Sequence, residues 1–530
     1  MQRSRAVPPS ARYSYAGKVA AAAGLLTVSD LIFFGYRGGS VIGAFALAWL
    51  AALVITKPAV RRARHAPIAI GAAALFALTL VDDPSLLATL LFLTAIGSAA
   101  LLPGHVFDHA GRWSARLLAL AMKGPFRAVA DLIRFARLST RGGSSIVSIG
   151  LNVVLPLGGG ALFLALFANA NPVLANVLSS IRMSGSFTLI LHLILLAVTL
   201  SFVWPSLRPR AIRYAPARTA LRAIMPDPPT TAIIVTLFVF NAVFAIENAL
   251  DILFLWSGAR LPAEVTLADY AHRGAYTLIV TVLIAAAFVL IALRPGSPAA
   301  QNSLVRRLLL VWIAQNILLV ASSMLRLLDY IDAYSLTVLR ISALAWMVLV
   351  AVGLLLVCWR LIAGRSAAWL INANTFVAMI VLSLASVVDL GAVSAAWNVR
   401  HTRDPAQLDL CYLRSLGTSS LLPLMALRDA PTDDETQDRA VYLSNALYRE
   451  LRTDQGHWQG WTFRGARRLA EAERLLARNA RIERPAPYGR NCDGTIRSRQ
   501  PEFPREPYPA SQASQSELQD PKTLTPEQKR

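Results

Sequence analysis

The sequence predicts an all-α, polytopic transmembrane helical bundle of about eleven spans, followed by a small C-terminal tail that is partly helical and partly disordered. Three observations carry this. Of 530 residues, 55% are hydrophobic and 16% are charged, with a mean hydropathy of +0.49, whereas soluble chains carry about a quarter charged residues. Apolar stretches of roughly twenty residues recur, the length at which a helix crosses a bilayer with its backbone satisfied internally. The connections between them alternate between rich and poor in Lys and Arg.

Arg3, Arg5, Arg12 and Lys18 precede the first apolar stretch. No small-residue cleavage site follows and further spans come at once, so this end reads as an uncleaved signal-anchor. The predicted spans are 19–35, 40–56, 67–81, 85–102, 146–168, 186–204, 231–255, 275–293, 308–324, 335–359 and 369–397. Basic connections fall at Lys57 to Arg64, Arg112 to Arg141, Arg208 to Arg222, Arg294 to Arg307 and Arg360/Arg365. All lie on alternate loops, which places the N-terminus in the cytoplasm by the positive-inside rule. An odd number of spans then puts the tail outside, in the periplasm of a Gram-negative cell whose inner membrane holds the bundle.

The net charge of +21 invites a nucleic-acid reading, but its distribution argues against one. Residues 1–397 hold 31 Lys/Arg and 13 Asp/Glu, while the tail from Asn398 holds 21 and 18. The surplus therefore sits in membrane loops, where its partner is an anionic headgroup layer. Within the long basic connection, Arg112, Arg116, Lys123, Arg127 and Arg134 share one helical face. That predicts an interfacial amphipathic helix over about 112–138, bent at Gly124-Pro125, with a topology anchor as its plainest role.

The transmembrane domain is thus 1–397, a helical extramembrane segment 398–484, and a Pro-rich disordered tail 485–530. The helical segment is small for independent folding, which points to packing on the outer face of the bundle, with a periplasmic protein as its possible partner.

Ionisable groups at membrane depth normally face a bundle interior or a wet cavity. Glu247, Asn248 and Asp251 fall in the seventh span, with Glu247 roughly 13 Å deep at 1.5 Å per residue. Arg273 opens the eighth, Arg326 and Asp329 bracket the turn before the tenth, Arg340 lies roughly 7 Å inside the tenth, and Asp389 sits in the outer half of the last. All fall on one leaflet. They predict an outward-facing polar recess, with Glu247 or Asp251 paired to Arg273, Arg326 or Arg340. The plainer alternative is a set of structural ion pairs.

Other motifs carry less. His105 and His109 in HVFDH have helical metal-ligand spacing but no Glu and no third ligand, so no metal is expected. Gly39 and Gly43 form one GxxxG, a common helix-packing pattern. No Walker A, nucleophile elbow or kinase signature occurs, and no cofactor is expected. Cys411 and Cys492, both in the tail, are either a disulfide or two free thiols.

The phrases ADYAHRGAY (268–276), RLLDYIDAYSLTVLR (326–340), AWMVLVAVGLLLVCWR (345–360), WLINAN (369–374), DLGAVSAAWNVRH (389–401) and LDLCYLRSLG (408–417) follow in order. Together they resemble a bacterial family of polytopic membrane proteins catalogued as domain of unknown function 4173. The resemblance implies a helical inner-membrane protein and carries no activity with it. Three functions compete: a non-catalytic envelope sensor or scaffold; a transporter or channel for a small polar solute or ion; and, behind both, an enzyme acting on a lipid-linked substrate. Neither duplicated halves nor a catalytic outer domain is evident, so the sensor or scaffold demands least.

Overall fold

The computed structural model describes residues 9–34, 38–105, 107–139, 186–209, 229–256, 301–479 and 481–498, together with single positions at 160, 164, 167 and 171. Among the described residues the regular elements are all helices, with no strand and one isolated bridge between Arg490 and Ile496. The expected span at 275–293 and the residue Arg273 lie outside them, and of the expected span at 146–168 only positions 160, 164 and 167 are described.

The chain opens with α1 (Pro9–Phe33), α2 (Val41–Thr56), the short α3 (Pro58–Arg62), α4 (Ala66–Asp82) and α5 (Leu86–Leu101). The amphipathic α6 (Ala110–Ser139) follows, then α7 (Ser186–Leu207) and α8 (Thr230–Asp251), which ends in a turn of π-helix, Ile252–Trp256. Next come α9 (Ser303–Tyr334), α10 (Val338–Ala363) and α11 (Ala367–Val387). Six of these, α1 and α7 to α11, are long and apolar enough to cross a membrane, and α2, α4 and α5 are shorter apolar helices. The described residues thus carry six full-length candidate spans, not the expected eleven.

Local chemistry sets the helix ends. Ser85, Asn302, Thr337 and Ser366 cap α5, α9, α10 and α11 by accepting from backbone N–H groups of the first turn. Gly364, at φ +63°, closes α10 in the left-handed conformation that a side chain disfavours. The predicted last span, 369–397, is in fact two helices, α11 and α12 (Leu390–His401). Asp389 causes the break: its carboxylate accepts from Ala392 N at 2.9 Å and caps α12. A short carboxylate competes with helical backbone bonding from inside a helix and favours the cap.

Two groups of helices pack around separate cores. Trp49, Phe76, Phe92 and Trp204 centre the first, from α2, α4, α5 and α7. Trp312, with Phe240 and Phe244 against its ring, centres the second, where α8 meets α9. The helix α11 reaches back to the first group, where Asn372 Oδ1 accepts from Ala110 N at 2.7 Å. Gly43 lets α2 lie against the backbone of α4 at Ala77 and Val81, where any Cβ would collide. The helix α6 runs continuously through Pro125. It buries Trp113 and Leu120 and leaves Leu118, Met122 and Phe126 exposed as a stripe.

The rest of the described chain forms a cap over one end of the bundle. It comprises α12, α13 (Leu410–Ser415), α14 (Leu421–Asp429), α15 (Asp434–Gln455) and α16 (Phe463–Arg478). Its core is leucine-rich, with Leu413, Leu424, Leu443 and Leu447 buried. A disulfide joins Cys411 to Cys492 with Cα atoms 5.0 Å apart. Arg490 is buried and pairs with Asp438 at 2.6 Å, and its guanidinium stacks on Tyr442. Residues 481–498 are therefore tied to the cap, beyond the boundary at 485 drawn from composition.

Candidate functional site at the junction of bundle and cap

The turn between α9 and α10 is held from the cap, atom by atom. Leu336 is gripped on both backbone groups: Asn398 Oδ1 accepts from its N–H at 2.7 Å, and Asn398 Nδ2 donates to its carbonyl at 2.9 Å. Ser394 Oγ donates to the same carbonyl at 2.7 Å. Val338 N donates to Tyr412 Oη at 2.9 Å, and Tyr412 Oη lies 3.0 Å from Ser394 Oγ. With the Ser394 proton on Leu336 O, Tyr412 must donate to Ser394. The bonds therefore run in one direction from Val338 through Tyr412 and Ser394 to Leu336, an order in which each polarises the next. Ser335, inside this turn, has φ +69° and ψ 164°, a conformation that costs a non-glycine residue about 1–3 kcal/mol and persists only where its surroundings impose it.

A second grip is electrostatic. Arg464, Arg467 and Arg468 share a face of α16 at i, i+3 and i+4. Arg464 pairs with Asp82 at 2.7 Å and Asp83 at 3.1 Å and donates to Val387 O at 2.8 Å. Arg467 pairs with Asp82 at 3.2 Å, and Arg468 with Asp389 at 2.5 Å. Three cations thus meet three carboxylates drawn from two separate bundle loops. Burial opposes the charge on Asp389, but the Ala392 N–H, Arg468 and Ser419 outweigh it and hold the carboxyl below its ordinary value of 3.8. Asp83 goes the other way, raised by burial despite Arg464. A backbone contact completes the seat: Gly39 N and Ser40 N donate to Gln459 O and Trp461 O at 2.7 and 2.8 Å.

The residues proposed from sequence fall in three places. Asp251 and Arg326 form a buried ion pair between α8 and α9. Asn248, also buried, donates to Phe244 O at 2.8 Å and Gln315 O at 3.3 Å. Arg340 caps the end of α9 through the carbonyls of Tyr334 and Ser335 and lies over the Tyr330 ring at 4.3 Å. Asp389 belongs to the arginine cluster at the cap. Glu247 and Asp329 are exposed. Asp251 and Arg326 come together, while the others are not gathered into one recess. At HVFDH, Asp108 is engaged by Arg112 and Arg116 at 3.0 and 3.1 Å. Burial opposes its charge, yet the His109 N–H and these arginines bring its pKa to about 2.

Sequence reasoning missed Ser394, Tyr412 and the arginines of α16, whose importance depends on what lies opposite them. It also passed over Asp30 and His192, which pair at 2.5 Å between α1 and α7. A lone carboxylate and a lone imidazole in apolar helices were the available signal. No metal-binding group of His, Cys, Asp or Glu occurs among the described residues. The junction can grip and transmit position through these hydrogen bonds and ion pairs.

The family described as Domain of unknown function (DUF4153) matches residues 68–427. This is a different number from the 4173 family to which the second-half phrases were likened; the coarser expectation, a family of unknown function, is what the match supports. The match reaches from α4 to α14 and includes Leu336, Asp389, Ser394, Asn398 and Tyr412, while the arginines of α16 lie beyond it. No curated protein and no solved structure matches the chain.

Proposed function

This chain belongs to the DUF4153 family, a family of unknown function, and on that premise we propose that it is an inner-membrane scaffold or sensor of the bacterial envelope. Its cap lies in the periplasm and sets the position of the α9–α10 helix pair. The observation that carries this reading is the grip on the α9–α10 turn, in which Asn398 and Ser394 hold both backbone groups of Leu336 and Tyr412 accepts from Val338 N. Two features support the compartment. Basic connections containing Lys57, Arg61, Arg208 and Arg360 lie at the end of the bundle away from the cap, and the cap carries a disulfide, which persists in oxidising compartments. Trp458 and Phe463, exposed beside the α1–α2 loop, suit a membrane–water interface.

A second reading is a solute or ion pathway along the α8–α9 seam. It is favoured by two acceptors on the seam that are buried without a hydrogen-bond donor, Asn248 Oδ1, one turn from Asp251, and Gln315 Oε1, further along beside Asn241. One experiment separates the two. Asn398→Ala and Asp251→Asn are each expressed in cells lacking the native protein, and abundance and resistance to envelope stress are measured. The scaffold or sensor reading expects loss of resistance from Asn398→Ala at normal abundance, with little effect from Asp251→Asn. The reverse outcome transfers the argument to transport. An impermeant maleimide that labels Cys411 and Cys492 in intact cells only after reduction would place the cap in the periplasm. Labelling only after lysis would overturn that placement.

A further inference from the structure

At the end of the bundle away from the cap, α9, α10 and α11 enclose a groove of about 540 Å³ that is open to the side. Its walls are apolar, from Trp346, Val350 and Leu354 among others, but four polar side chains interrupt them: Arg360, Asn374, Asn316 and Thr375, whose hydroxyl donates to Ile371 O. Arg360 is half-buried near the end of α10 and makes no ion pair with any described residue. Asn316 is 2% exposed. Its Nδ2 donates to Trp312 O at 2.7 Å, while its Oδ1, buried against the groove, has no donor. A buried acceptor without a donor is destabilising, so a ligand that supplies the donor recovers that energy.

We propose that this groove is a binding site for an anionic lipid that carries a free hydroxyl at the head end of its chain. Arg360 takes the anionic headgroup, the apolar walls take one acyl chain, and Asn316 Oδ1 accepts from the hydroxyl. The chemistry follows from what each wall lacks. A guanidinium without a carboxylate calls for an anion, and arginine is suited to phosphate through its planar array of donors. Apolar walls open to the side call for a chain entering from the bilayer, so the inference rests on the bundle spanning a membrane. The unpaired Asn316 excludes a plain diacyl lipid as the best occupant, since its chain region contains acceptors and no donor. Gly353 keeps the groove open where Asn374 leans across it: any Cβ there would lie 3.0 Å from Asn374 Oδ1.

The test uses the full-length protein in a non-ionic detergent. It is incubated with palmitoyl-lysophosphatidylglycerol, palmitoyl-oleoyl-phosphatidylglycerol, palmitoyl-lysophosphatidylcholine or palmitoyl-oleoyl-phosphatidylcholine, and retained lipid is counted by native mass spectrometry. The lysophosphatidylglycerol should be retained best, roughly tenfold above lysophosphatidylcholine, whose choline cation offsets the phosphate charge, and further above the diacyl phosphatidylcholine, which also lacks the hydroxyl. Arg360→Gln should remove the preference for the anionic headgroup. Asn316→Leu should remove the preference for lyso over diacyl lipid and leave the headgroup preference intact. Ala378→Phe, which obstructs the groove and leaves both polar groups in place, should lower retention of every probe. Equal retention of all four lipids by the native protein would overturn the proposal, as would an anionic preference that survives Arg360→Gln. If the cap proves cytoplasmic in the labelling experiment above, the topology of the proposed function fails while this lipid preference can still be measured.

Discussion

The cap buries its leucines, whereas the bundle, beside its own buried apolar cores, leaves many large apolar side chains exposed. In the cap, leucines are buried, with Leu413, Leu421 and Leu424 at 0% exposure, and its arginines engage carboxylates. In the bundle, Leu339 is 82% exposed and Phe376 68%, while Asn248, Asn316, Ser322 and Asp251 are buried. The difference is one of solvent. Water drives leucine inward in the cap, whereas hydrocarbon gives leucine no reason to hide and leaves small and polar side chains to join the helices. At the junction both rules apply, and the chain there relies on hydrogen bonds to backbone and on ion pairs, which hold in either medium.

The comparison can be broken first at the disulfide. Its 81-residue separation makes it worth about 4.5 kcal/mol to the cap in the loop-entropy account. Cys411→Ser should therefore lower resistance of the cap to urea, read by proteolysis of the full-length protein in nanodiscs, and leave the helicity of the bundle unchanged. Leu424→Ala, in the cap core, should cost about 2–5 kcal/mol in the same assay. Leu355→Ala on the exposed face of α10 should cost under ~0.5 kcal/mol; equal losses at the two sites would mean that the solvent argument is wrong.

The junction should respond next. Asn398→Ala strips Leu336 of two hydrogen bonds and should cost roughly 1–3 kcal/mol. The loss would be seen as faster hydrogen exchange at Leu336 and Val338. Asp389→Asn and Arg468→Gln should each weaken docking of the cap by roughly 1.5–3 kcal/mol. A double-mutant cycle in which the two effects simply add would show that the pair does not couple. The pH dependence follows from the same contact. Because the folded pKa of Asp389 is depressed, its contribution is fully present above the ordinary carboxylate value of 3.8 and is lost as pH falls below it. Asp83, with a raised pKa, opposes this modestly in the window just above 3.8. Docking should hold at pH 5 and fail in stronger acid, measured by cross-linking α16 to the Asp82–Asp83 loop. Smallest is Thr462→Ala, which removes the cap of α16 at Gly465 N and should cost about 1 kcal/mol.

Much of the bundle was legible because a helix in hydrocarbon must be long, apolar and internally bonded, and these are local properties. The helices α1, α2, α4, α5, α7, α8, α9 and α10 begin and end within a few residues of their predicted limits, apart from the extra turns of α1 and α9. The failure at 369–397 is instructive. Hydropathy averages over Asp389, whereas the backbone responds to its single carboxylate by starting a new helix. The GxxxG at Gly39 and Gly43 was read as helix pairing, and only Gly43 does that; Gly39 sits under the carbonyls of the cap loop.

Composition, hydropathy and charge placement were enough to predict an all-helical chain with several helices of membrane-spanning length, and to mark where its basic connections fall, because each depends on the chain's own neighbours or on the solvent around it. The pairing of Arg326 with Asp251, the grip of Asn398 on Leu336, the meeting of α16 with Asp82 and Asp389, and the bond between Cys411 and Cys492 were decided only in three dimensions. Each joins residues between 62 and 382 positions apart. No local pattern encodes which distant partner a charged or amide group will find, since that depends on how the intervening helices pack.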